Sequence, residues 1–188
     1  LGVFTERYVG IPAFLGRGMA WGDYDDDGDL DVAAGAPYHQ SVSDLYRNEN
    51  GLFSPAGASF AGLAADNIAW GDYDNDGDLD LFLTGECSQV DRGYLFRNDD
   101  GQFVDSGIFF PQQTEGSAEW GDFDNDGDLD LLVTGGAEDM SDYPQTRLFR
   151  NTGSGFEDWA RGLGPSGTGF AAWGDYDGER GRGVLLTT

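Results

Sequence analysis

Lysine is absent from the 188-residue chain, so all ten basic residues are arginine. Against them stand 35 Asp and Glu, giving a formal net charge of −25. A polyanion of this kind is repelled by phosphate backbones and acidic lipid headgroups, which argues against a nucleic-acid or membrane-surface partner. Long apolar runs are also missing. Nothing approaches the ~20 residues a spanning helix needs, so no membrane insertion is expected. The first twenty residues show no basic-then-apolar leader pattern. The chain opens on Leu1, the expectation being a mature form or a piece of a longer protein. Cys87 is the only cysteine, which excludes an intramolecular disulfide. His39 is the only histidine; without lysine, most acid–base and nucleophilic arrangements lack parts, and no enzyme is expected. The Asn-x-Ser/Thr acceptor pattern for N-linked glycans does not occur. What the chain does have is a hydrophobic content of 39%, aromatics at 14% and 31 glycines. That is enough apolar surface for one packed domain rather than a disordered polyanion, with many turns.

The glycines and aromatics fall into a repeat. Trp21-Gly22-Asp23-Tyr24-Asp25 returns as Trp70-Gly71-Asp72-Tyr73-Asp74, as Trp120-Gly121-Asp122-Phe123-Asp124 and as Trp173-Gly174-Asp175-Tyr176-Asp177. The tryptophans are 49, 50 and 53 residues apart. A second marker keeps step: Leu45-Tyr46-Arg47-Asn48, Leu95-Phe96-Arg97-Asn98 and Leu148-Phe149-Arg150-Asn151, each followed by a glycine turn and then Phe53, Phe103 or Phe156. Repeat units are placed at about 1–50, 51–100, 101–153 and 154–188, the last incomplete. In the third copy four strands are expected: Ser117–Gly121, Leu129–Thr134, Arg147–Asn151 and a short one near Phe156. Runs such as Leu81-Phe82-Leu83-Thr84 are compact, apolar and bounded by Asp and Gly, as strands buried on both faces are. No helical periodicity is sustained. Four antiparallel strands every fifty residues indicate an all-β chain and a β-propeller of four-stranded blades, with roughly 3.7 blades present as a partial propeller or open arc. The tryptophans are assigned to blade packing.

Between the first two strands of each unit lies a nine-residue loop with acids at alternate positions. Asp23, Asp25, Asp27, Asp29 and Asp31 surround Gly28; Asp72, Asp74, Asp76, Asp78 and Asp80 surround Gly77; Asp122, Asp124, Asp126, Asp128 and Asp130 surround Gly127. Five carboxylates so close repel one another unless a cation sits among them. Acids at positions 1, 3 and 5, a turn glycine at 6, a backbone carbonyl at 7 and a late acid at 9 form a wrapping for a hard cation. Oxygen-only ligands select calcium over zinc or copper, and calcium accepts an all-protein cage more readily than magnesium. About three structural calcium sites are expected. A fourth loop offers Asp175, Asp177 and Glu179, but Arg180 replaces the turn glycine and Gly183 the closing acid; that site is expected to be weak or empty. Sixteen of the 35 acids (six, five and five per loop, counting Asp26) are thus committed to loops. No other carboxylate pair suggests glycoside hydrolysis.

At these loops the chain resembles the FG-GAP/VCBS repeat family, which includes the β-propeller of integrin α-subunits. Asp-x-Asp-x-Asp-Gly-x-x-Asp before an apolar strand is that family's calcium motif, and Gly35-Ala36-Pro37 reproduces its Gly-Ala-Pro element. The resemblance implies a calcium-stabilised propeller in extracellular or cell-surface proteins, used for adhesion, recognition or assembly. Gly-Glu at 85–86 and Gly-Gly at 135–136 depart from the integrin form and point to the bacterial VCBS-like branch.

Three arrangements follow from 3.7 units: a fragment of a larger ring, an open arc that pairs through exposed strand edges, or a small four-bladed ring. In a meander the acidic loops and the Arg-Asn turns share one rim, so Arg47, Arg97 and Arg150 are expected to offset the loop charge. The opposite rim carries Gly35–Asp44, Gly85–Gly93 and Gly135–Thr146, which differ between copies and hold Tyr38, His39, Arg92, Met140 and Tyr143. These are the candidate ligand-binding residues for a protein or glycan partner. The leading expectation is a non-catalytic recognition or adhesion module. A structural subunit of a surface assembly and a lectin-like carbohydrate binder are the alternatives.

Overall fold

The computed structural model describes residues 10–11, 18–35, 42–61, 63–87, 92–111, 116–136, 146–161, 170–174 and 183–187. Every described element is a strand. β1 (Met19–Gly22), β2 (Asp31–Ala34), β3 (Val42–Glu49) and β4 (Leu52–Ala61) pair antiparallel in chain order. The second sheet repeats the order with β5 (Leu63–Gly71), β6 (Asp80–Cys87), β7 (Arg92–Asp99) and β8 (Gln102–Asp105); β9 (Phe110–Pro111) adds a further short pairing to β7. The third holds β10 (Ala118–Gly121), β11 (Asp130–Val133), β12 (Arg147–Asn151) and β13 (Phe156–Arg161). β14 (Phe170–Gly174) and β15 (Gly183–Thr187) form a two-stranded sheet.

Local sequence explains the turns. Asn50-Gly51 and Asp100-Gly101 join the third and fourth strands with positive φ at both residues (55° and 84°; 50° and 83°), the backbone a tight type I′ hairpin requires. In the third unit the turn is longer and closes through the Thr152 N–H donating to the Gly155 carbonyl at 2.9 Å. Pro55 and Pro111 lie in outer strands, where a missing N–H breaks no ladder.

Each second strand is sandwiched. Side chains alternate between faces, so Leu81 and Leu83 join Ala33, Leu45 and Phe60 of the first sheet in one core cluster. Phe82, between them, turns to the other side and packs with Leu131, Val133 and Phe149 of the third sheet. Leu132 and Leu148 face onward to Ala171 of β14. The sheets therefore stack face to face in a row, and their first strands touch in succession, β1 on β5, β5 on β10 and β10 on β14.

The repeated Trp-Gly pair closes each junction. The Trp70 indole donates to the Ala20 carbonyl at 3.4 Å, Trp120 to Ala69 at 3.4 Å and Trp173 to Glu119 at 3.3 Å. Each ring lies against the glycine of the preceding unit: a Cβ on Gly22, Gly71 or Gly121 would sit 2.8, 2.7 or 2.8 Å from the next unit's indole. Packing accounts for three of the four tryptophans. Trp21 differs, being 55% exposed.

Candidate metal centre

The three complete loops have one geometry. Each begins where a first strand ends and finishes on the first residue of the second strand, so the sheet fixes both ends. At position 1, Asp23 accepts the N–H groups of Asp27 and Gly28 at 3.1 and 3.0 Å. Asp72 does the same for Asp76 and Gly77, and Asp122 for Asp126 and Gly127, all at 3.1 Å. Position 5 accepts from the N–H of position 7 at 2.9–3.0 Å. Gly28, Gly77 and Gly127 have φ of 91°, 103° and 99°, a region that a Cβ penalises. Asp26, Asn75 and Asn125 at position 4 adopt left-handed φ near 55–60°, which short polar side chains tolerate.

Position 9 carries the sharpest constraint. Asp31, Asp80 and Asp130 are fully buried. Both oxygens of each are held: one by the N–H of Tyr24, Tyr73 or Phe123, the other by the N–H of Asn48, Asn98 or Asn151, at 2.7–3.2 Å. Each acid thus ties the loop to the third strand. Burial pushes Asp80 up to about 7 despite those two bonds, and raises Asp31 and Asp130 in the same way. Asp74 is raised too, by burial and by the neighbouring charge of Asp76. Exposed Asp27 and Asp126 are lowered, first by the N–H bonds they accept from Asp29 and Asp128 and then by Arg47 and Arg150. Position 7 plays another part: Asp29 and Asp78 bracket the hairpin by accepting from the N–H of Asn50 and Asp100, while Asp128 accepts from the Asn75 amide at 2.9 Å.

The loops bring three acids together at each site. One oxygen from each of Asp23, Asp25 and Asp27 lies within 4.8 Å of the others; so it is for Asp72, Asp74 and Asp80, and for Asp122, Asp124 and Asp130. These clusters could hold a metal ion. A local observation favours a cation over a plain acidic turn: Asp25 Oδ1 is buried and no hydrogen-bond donor among the described residues reaches it. Carboxylate oxygens that accept one N–H keep a second lone pair for an ion, and the donor set is oxygen only.

The arginines behave as the shared rim requires, two by direct ion pairs and one at longer range. Arg47 spans Asp25 and Asp27 with nitrogen–oxygen distances of 2.9 Å each. Arg150 spans Asp124 and Asp126 at 2.7 and 3.2 Å. Arg97 bonds Asp99 on its own strand, and its charge still favours the ionised form of Asp74 in the second loop. Arg92, a candidate ligand residue, pairs with Asp105 and lies 4.2 Å over the Tyr94 ring. Tyr38, His39, Met140, Tyr143 and the fourth loop with Asp175, Asp177 and Glu179 fall outside the described residues.

Two roles were not read from the sequence. The Asn48, Asn98 and Asn151 side chains donate to Leu30, Leu79 and Leu129 carbonyls, and the latter two also cross to the preceding unit at Tyr24 and Tyr73, at 2.8 and 2.7 Å. Recurrence of this asparagine in three copies was the available signal. The glycine opposite each tryptophan was visible only as the next letter of the repeat.

A family model described as an FG-GAP-like repeat matches residues 23–83 and 72–133, which together span more than half of the chain. The chain belongs to this family. No curated protein matches it.

Proposed function

We propose that the chain is a calcium-stabilised β-propeller region, non-catalytic, that works outside the cell as a recognition or adhesion scaffold. The observation that carries this reading is a loop turn that recurs three times with three carboxylates converging, at positions 1, 3 and 5 in the first loop and 1, 3 and 9 in the other two, together with Asp25 Oδ1 of the first loop, buried without a donor among the described residues. Asp23, Asp25, Asp27 and Asp31 would hold the first ion, with Asp72, Asp74, Asp76 and Asp80 and then Asp122, Asp124, Asp126 and Asp130 holding the next two. Calcium would supply positive charge to these acids and pin each loop to the third strand. Millimolar calcium is an extracellular condition, which supports that location. Family membership supports a propeller built from the stacked four-stranded sheets. The variable rim opposite the metal loops is the surface assigned to a protein or glycan partner, and Arg92 at its border is already engaged by Asp105 and Tyr94.

The test is calorimetric titration of chelator-treated protein with calcium and, separately, magnesium. About three calcium ions per chain are expected, with magnesium much weaker. Fewer than one bound calcium per chain overturns the reading.

A further inference from the structure

A line of buried hydrogen bonds joins the three acidic loops to one another. It starts at Asp31, whose Oδ2 accepts the Tyr24 N–H at 3.2 Å. The Tyr24 carbonyl accepts the Asn98 side-chain amide at 2.8 Å, and the Asn98 backbone N–H donates to Asp80 Oδ1 at 2.9 Å. Asp80 Oδ2 accepts the Tyr73 N–H at 2.9 Å. The pattern then repeats: the Tyr73 carbonyl accepts the Asn151 amide at 2.7 Å, and the Asn151 N–H donates to Asp130 Oδ1 at 2.9 Å. Asp130 Oδ2 accepts the Phe123 N–H at 2.9 Å. Asp31, Asp80, Asp130, Asn98 and Asn151 are at most 2% exposed, so these bonds run through low dielectric, where they are electrostatically stronger than in water. Tyr24 stands between Asp23 and Asp25, and Tyr73 between Asp72 and Asp74, carboxylates that converge in the first two loops. Each asparagine amide uses both of its hydrogens, the second on the Leu79 or Leu129 carbonyl of its own loop at 3.2 and 3.3 Å. The side chain is thereby pinned between two loops.

The second and third loops share one more link. Asn75, at position 4 of the second, donates to Asp128 Oδ1, at position 7 of the third, at 2.9 Å. In the first two units the acid at position 7 is taken by its own hairpin, Asp29 by the Asn50 N–H at 2.8 Å and Asp78 by the Asp100 N–H at 2.9 Å. The longer third turn sends the Gly153 N–H to Asn151 Oδ1 and the Thr152 N–H to the Gly155 carbonyl, and Asp128 turns to the neighbouring loop instead. The first loop has Asp26 at position 4, which has no proton to donate when ionised.

We propose that the three loops bind calcium cooperatively, with Asn98 and Asn151 as positioning residues that pass the ordering of one loop to the next, and with the second and third loops coupled most strongly through Asn75 and Asp128. This rests on the calcium reading above. An ion that draws Asp72 and Asp74 together fixes the Tyr73 peptide between them. That peptide carries the acceptor for Asn151, and Asn151 in turn holds Asp130 of the third loop. The next ion then meets a loop that is already ordered, which is how one ligand raises the affinity for another without a large movement. By linkage the effect is reciprocal. Neighbouring loops are expected to couple roughly fivefold, the lower end of the usual range, in addition to what each site contributes singly.

The experiment is an NMR titration of the chelator-treated full chain with calcium, reading the backbone N–H signals of Gly28, Gly77 and Gly127, one in each loop. Wild-type signals are expected to move together and more steeply than a single-site isotherm. Asp74→Asn, which disables the second loop, should shift the midpoints of the first and third loops roughly fivefold to higher calcium, the third by more. The shift should persist at about 1 M salt, where exposed charges are screened beyond about 3 Å. Replacing buried Asn98 or Asn151 risks unfolding, so the exposed link supplies the second variant. Asn75→Asp sets two carboxylates against each other and should lower the third loop's response to Asp74→Asn to that of the first. Adding Asp128→Asn exchanges donor and acceptor and should restore it; neither side chain is assigned to an ion. Loops that fill independently, or a coupling that salt abolishes, overturn the inference and leave the calcium reading standing. A third loop indifferent to Asn75→Asp overturns the part given to Asn75 and Asp128. Three signals that do not move with calcium overturn the calcium reading itself, and the coupling with it.

Discussion

At the residue scale, the acids of one loop have three different jobs. Those at position 1 organise the turn through two N–H bonds, the one at 9 is buried as a bolt to the third strand, and those at 3 and 5 meet an arginine in the first and third loops. The spacing made all of them visible as oxygen donors, but not this division, because it depends on the third strand arriving alongside. Asp74→Asn keeps volume and removes one charge from the converging trio; calcium affinity of the second loop should fall roughly tenfold or more by site-resolved titration, with the fold intact. A pH effect follows from Asp80. Its folded value of about 7 lies above the ordinary 3.8, so between those limits the folded chain holds a proton that the unfolded chain has released. Stability of the metal-free protein should therefore decline as pH rises from about 4 to 7. The lowered acids Asp27 and Asp126 act below that window and do not reverse the sign. Melting in chelator at several pH values checks this: Asp80→Asn should flatten part of the slope, and a melt that rises with pH contradicts it.

Elements were the most legible level. The expected strands of the third copy, Ser117–Gly121, Leu129–Thr134, Arg147–Asn151 and one near Phe156, correspond to β10 to β13 within a residue at most ends. The fourth extends to Arg161, longer than its lone phenylalanine indicated. Ser117 and Thr134 fall outside the ladder yet bond through Thr134 N–H and Thr134 Oγ1, both at 2.8 Å, so the sequence boundary was chemically sound. Junctions between sheets were not legible, since they join residues some fifty positions apart and the repeat conceals which neighbour is meant. They make an element-level prediction: Gly71→Ala forces a Cβ to 2.7 Å from the Trp120 ring and should cost about 1–3 kcal/mol. Gly174→Ala, the same letter of the repeat, meets nothing within 4 Å and should be nearly silent in thermal melts of the two variants. Gly77→Ala should cost about 1–2 kcal/mol for another reason, the positive φ at the loop turn.

For the whole molecule, a net charge of −25 and three dense acidic loops on one rim set the energetic problem. Arginine supplies part of the answer at Asp25, Asp27, Asp124 and Asp126, and calcium is proposed to supply the rest. With a dissociation constant near ~10⁻⁴ M, millimolar calcium contributes about 1.4 kcal/mol per site. Three independent sites then contribute about 4 kcal/mol, against a usual total of about 5–15 kcal/mol. The most direct measurement is the thermal melt of the chain in excess chelator and in millimolar calcium at neutral pH. A rise in melting temperature on the order of 10 °C with calcium, not reproduced by magnesium, is the predicted result. Identical melts in chelator and calcium contradict it.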